Sequence, residues 1–176
     1  MRKLSGLALW FIVACATIAV GQTPPPADPF QALAFLEGTW QAKTAGLAGG
    51  DAAGSYVFRR ELNGHVLARH TLDKQNCQAA QEVCDHQDLL YIYQETPGAP
   101  LRAIYFDSEG HTIHYSFTSP AVNSVVFLSE TTANGMRFRL SYALKEGVMT
   151  GRFELQPPGQ QEWHTYLQWS GKRVSP

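Results

Sequence analysis

Hydrophobic and polar positions alternate along most of this chain with the two-residue period of half-buried strands, and short polar turns punctuate the alternation. The stretch Leu101 to Phe117 shows the device. Two runs rich in aromatic and β-branched residues flank Asp107-Ser108-Glu109-Gly110, and Gly110 suits the positive φ that closes a short hairpin loop. The same pattern predicts strands over residues 39–43, 55–62, 65–72, 88–95, the two arms of that hairpin, 122–131, 136–145, 148–156 and 162–173. Turns are expected at Asn63-Gly64, Asn134-Gly135, Glu146-Gly147 and Pro157-Pro158-Gly159, with Asn63-Gly64 the strongest two-residue hairpin signal. Strands joined so closely run antiparallel, and a meander this long hides its edges by closing. The expected fold is all-β: a closed antiparallel meander β-barrel of about ten strands with one short N-terminal helix.

That helix reads from Asp28-Pro29 as an N-cap followed by a first-turn proline, with Phe30, Leu33, Ala34 and Phe35 on one face and an end near Gly38. Alternation also orients some strands. Met136, Phe138, Leu140, Tyr142 and Leu144 share a face opposite Arg137, Arg139 and Ser141. Met149, Phe153 and Leu155 likewise oppose Thr150, Arg152 and Glu154. The runs Val66 to Leu72 and Val122 to Leu128 are apolar on both faces, so the period does not orient them.

Of the 176 residues, the first 21 do not belong to this pattern. Arg2 and Lys3 precede an apolar run from Leu7 to Val20 that is short for a membrane span and shaped like a secretory signal. Ala19 and Gly21 suit cleavage before Gln22; alternatively, Ile12-Val13-Ala14-Cys15 resembles a lipobox whose Cys15 becomes lipidated. Both routes export the chain, to the periplasm or beyond. The expected organisation is a signal peptide over residues 1–21, a proline-rich linker over 22–28 and a single barrel domain over 29–176.

Export changes the reading of the cysteines. Cys77 and Cys84, the two left after cleavage, are separated by six residues and in an oxidising compartment are expected to pair as a disulfide. A zinc site needs a second ligand pair that their spacing lacks, and no metal or cofactor is expected. Removing Arg2 and Lys3 from 14 basic residues leaves 12 against 15 acidic ones, a net charge of −3 with His neutral. Without a basic stripe, nucleic acid is not an expected partner, and no membrane span is expected. Neither is a nucleophile elbow or phosphate loop present.

Phe35-Leu36-Glu37-Gly38-Thr39-Trp40 is the stretch that points to a family. A short helix running into Gly-x-Trp at the first strand, followed by an antiparallel meander, resembles the calycin superfamily: lipocalins, bacterial lipocalin-like proteins and nitrobindin-like haem barrels. The resemblance implies that Trp40 plugs the closed end and that Arg173, or Lys172, near the end of the last strand packs on it. It implies a small apolar or amphipathic ligand in the barrel of a monomer or dimer. For a haem barrel only His164 stands where the ligand histidine would, and the family's glutamate- and glycine-rich motif is absent.

The residues themselves suggest a lining. Arg60 lies in phase with Tyr56, Phe58 and Leu62, so its charge is expected to point where the apolar side chains point and to meet an anionic ligand group. Tyr93, Tyr105, Tyr115, Phe138, Tyr142 and Trp163 are the aromatic candidates for ligand contact. Histidine pairs at His65/His70 and His111/His114 have odd separations and cannot chelate from one strand. The expected function is an exported small-molecule-binding barrel. The alternatives are an enzyme of the same fold with His114 or His70 as base, a haem-binding barrel, or a structural envelope domain with a filled core.

Overall fold

The computed structural model describes residues 27–44, 53–71, 85–118 and 121–175. Ten strands form one closed barrel in which every strand pairs with its chain neighbours: β1 (Gly38–Thr44), β2 (Ala53–Glu61), β3 (Val66–Thr71), β4 (Asp88–Tyr93), β5 (Arg102–Asp107), β6 (Thr112–Thr118), β7 (Ser124–Ser129), β8 (Arg137–Lys145), β9 (Val148–Gln156) and β10 (His164–Ser175). All pairings are antiparallel, and β1 against β10 closes the ring, so no sheet edge is left to template aggregation. The expected signal segment with Cys15, the glycine-rich stretch between β1 and β2, and Cys77 and Cys84 with their expected disulfide lie outside the described residues.

Register explains which side chains enter. Directly paired residues share a face, so the ring Trp40, Tyr56, Thr71 and the ring Gly38, Phe58, Arg69, Leu90, Tyr105, Ile113 both point inward. The two strands that periodicity left open are thereby oriented. Leu67, Arg69 and Thr71 of β3 face in, as do Val125, Phe127 and Ser129 of β7. Ala68 is buried although it faces out, being paired between Arg59 and Tyr91.

The turns follow the sequence with one difference. Lys145 pairs Val148 across Glu146-Gly147, both in the left-handed region, as a two-residue loop requires. At Asn63-Gly64 the register is the one a two-residue turn implies, but Leu62 is also left-handed at φ 50°, and the last regular pair is Glu61 with Val66. The added left-handed residue splays the strand ends into a four-residue connection.

One end of the barrel is closed by a 3-10 helix, Gln31–Leu36, rather than an α-helix. Asp28 accepts the Phe30 N–H at 2.9 Å, and Phe30, Leu33 and Leu36 are buried beneath the strands. Trp40 lies on this floor with its indole N–H donating to the Leu36 carbonyl at 2.7 Å. The Arg173 guanidinium lies 4.7 Å above the Trp40 ring and donates to the Phe35 carbonyl at 2.8 Å. Gly38 is needed between helix and strand: its φ is 112°, and a Cβ there would come within 2.7 Å of the Ser175 carbonyl.

Candidate functional site

A chain of polar side chains runs into the barrel from the end opposite the helix. Glu109, in the β5–β6 turn, accepts from His86 Nδ1 at 2.9 Å, and His86 Nε2 lies 3.4 Å from Asp88, at the first position of β4. Asp88 accepts from the Thr71 hydroxyl at 2.9 Å and is ion-paired with Arg69. Both members of that pair have side chains only 11% exposed, so most of their charge lies inside the wall. Beyond it, the Arg69 guanidinium stacks 4.7 Å over the Tyr56 ring, and Tyr142 meets both Phe58 and Trp169 edge to face at 5.4 and 5.6 Å.

The electrostatics follow from this geometry. Burial acts to raise the Asp88 carboxyl, but the Arg69 charge and the His86 and Thr71 hydrogen bonds overcome it and hold Asp88 down at about 2. The hydrogen bond to Asp88, against partial burial and with help from Glu109, raises His86 above its usual 6.5. Burial pushes the Tyr105, Tyr115 and Tyr142 phenols up, so they stay protonated hydrogen-bond donors. Burial also raises Tyr56, countered in part by the Arg69 charge and by a hydrogen-bonding approach of the Trp169 indole that falls short of normal geometry.

Four buried polar atoms in this cluster meet no hydrogen-bond partner of normal geometry among the described residues: Arg69 Nε, Tyr56 Oη, Tyr142 Oη and Trp169 Nε1. Tyr56, Tyr142 and Trp169 are all less than 10% exposed. Unsatisfied buried groups are few in folded proteins and each costs about 1–3 kcal/mol, so four on adjoining side chains single out this cluster as the candidate site.

The aromatic candidates separate in space. Tyr105, Tyr115 and Tyr142 face the interior, and Phe138, also inward, stacks on Phe153 at 5.7 Å with both rings half-buried. Tyr93 faces out, paired between Val66 and Arg102. Trp163 precedes β10 on the outside, with Arg139 4.5 Å over its ring. Arg60 keeps its inward phase opposite Leu67, but it is the last inward position of β2 and reaches the floor. There it is ion-paired to Glu37 and Asp28 at 2.8 and 2.9 Å and covers Phe30.

The histidines also divide. His70 faces out and bonds Glu61 at 2.8 Å, His114 is exposed on β6, and His164 is exposed with Gln160 at 3.0 Å. His86, which spacing did not single out, belongs to the inner chain and has the Tyr105 hydroxyl at 3.4 Å. With Asp107 and Glu109 it brings possible metal-ligand atoms within 4.8 Å of one another. Asp107, however, already holds its turn through the backbone N–H groups of Glu109 and His111 and the His111 ring. No family model matches this chain, and no curated protein matches it either.

Proposed function

We propose that this chain is an exported, calycin-like barrel that holds a small amphipathic molecule in its interior, with the molecule's polar end at Arg69, Tyr56, Tyr142 and Trp169. The observation that carries the reading is the set of four buried, unpartnered polar atoms on those side chains. An eight-stranded barrel is about wide enough for side chains or one small ligand, and ten strands give a larger bore. Apolar residues Leu67, Leu90, Ile113, Phe127 and Leu140 surround the polar group, and the stacked Phe138 and Phe153 provide a partly exposed apolar surface for the rest of the ligand. His70 and His114 face away from the interior, which removes geometric support for either as a base acting there.

Native mass spectrometry of the chain, expressed in a bacterial host with its own leader, tests the reading. The expected result is a polypeptide beginning at Gln22 that retains a small molecule, released on denaturation and depleted in Tyr142→Phe. A bare chain that takes up no member of a panel of long-chain amphiphiles contradicts it.

A further inference from the structure

We propose that the polar end of the ligand is an uncharged hydrogen-bond acceptor, the carbonyl of a ketone, aldehyde, ester or amide, and not a carboxylate or phosphate. The inference rests on the interior-binding reading above and adds the chemistry of the group received.

Two observations carry it. The first is the kind of atom left unpartnered. Arg69 Nε can only donate, the Trp169 indole N–H has at most a poorly aligned contact with the Tyr56 oxygen, and the Tyr56 and Tyr142 hydroxyls each keep a proton to give, so the complement of the set is an acceptor. The second is the charge balance. The Arg69 guanidinium is already matched by Asp88, the two facing inward from adjacent layers of β3 and β4. The next inward carboxylate is Asp107, with a side chain 5% exposed and His111 as its partner. Glu109 adds negative charge at the rim beside His86. Arg59 and Arg139 face out and are occupied by Glu61 and Glu154. A carboxylate at the four donors would therefore be an extra buried negative charge with no described cation to match it. Such a charge costs several kcal/mol, whereas a carbonyl loses only its hydration and recovers hydrogen bonds.

Isothermal titration of the full mature chain with undecyl methyl ketone and with lauric acid compares the two head groups, since these molecules differ by a methyl in place of the acid hydroxyl. At about pH 8, where the acid is ionised, the ketone is expected to bind at least about tenfold more tightly. Asp88→Asn exposes the Arg69 charge and should reverse the order. Because that variant leaves a buried cation unpaired at a cost in stability, Tyr142→Phe provides a second arm: it removes an unpartnered hydroxyl and should weaken the ketone. Lauric acid binding as tightly as the ketone or more so would overturn the head-group assignment while upholding an interior site. Failure of both to bind would overturn the interior-binding reading and this inference with it.

Discussion

Trp40 and Asp88 show how single side chains fix the two ends of this barrel. Trp40 is 1% exposed, bonded to Leu36 and covered by Arg173, so Trp40→Ala removes packing, a hydrogen bond and a cation–π contact at once. Chemical denaturation should show a loss of about 3–5 kcal/mol, as for other large buried aromatics. Asp88 contributes through charge. Its carboxyl is held at about 2 against an ordinary 3.8, so its stabilisation is complete above pH 3.8 and is lost as pH falls toward 2. That contribution amounts to about 2 kcal/mol. His86 has the opposite sign: raised above 6.5, it stabilises fully below that pH and ceases to do so as pH rises through its folded value. Stability curves for wild type and His86→Gln should therefore converge on the alkaline side; a gap that widens with rising pH would contradict the geometry. Arg60 and Arg69 show what was legible at this scale. The phase of Arg60 was readable, but its place at the floor depends on Asp28 and Glu37 folding back from the helix segment. Arg69 was hidden because β3 is apolar on both faces, and only pairing with Phe58 and Leu90 turns it inward.

Among the elements, the hairpin β8–β9 was the most legible, because clean alternation and a two-residue turn specify face and register together. What the period could not supply was the reason for Gly151 in the middle of β9. Paired with Tyr142 and Trp169, it faces inward, and the Trp169 ring lies where a Cβ would be. The glycine is therefore part of the site, since it lets Trp169 lie flat to the wall with its indole N–H in the donor cluster. Gly151→Ala must displace that ring, at an overpacking cost of about 1–3 kcal/mol. Near-ultraviolet circular dichroism should register the change in tryptophan environment, and an unaltered spectrum would mean that Trp169 is held differently. The helix lies where the sequence put it and buries Phe30, Leu33 and Phe35 as expected, but Ala34 is exposed and Leu36 fills the core instead, and Asp28 holds the preceding turn without capping the helix. It tightens to a 3-10 form over the six residues between the turn at Asp28 and the extended Glu37, too short a span for a stable α-helix.

For the whole molecule, closure of the ring turns a meander into a barrel. The chain order of strands followed from short connections, and the β1–β10 pairing followed from the need to leave no edge. The interior chemistry did not follow, because it is assembled from β2, β3, β4, β8 and β10, whose order around the ring is known but whose stagger is set by register. The account stands or falls on whether the donors around Arg69 receive a ligand. The most direct measurement follows the Trp169 indole N–H and Arg69 Nε–H resonances in a titration of residues 22–176 with undecyl methyl ketone. Both should shift downfield together as they acquire an acceptor, while the Trp40 indole N–H, already bonded to Leu36, stays in place. Saturable binding that moves the Trp40 signal and leaves Trp169 and Arg69 unchanged would contradict the account.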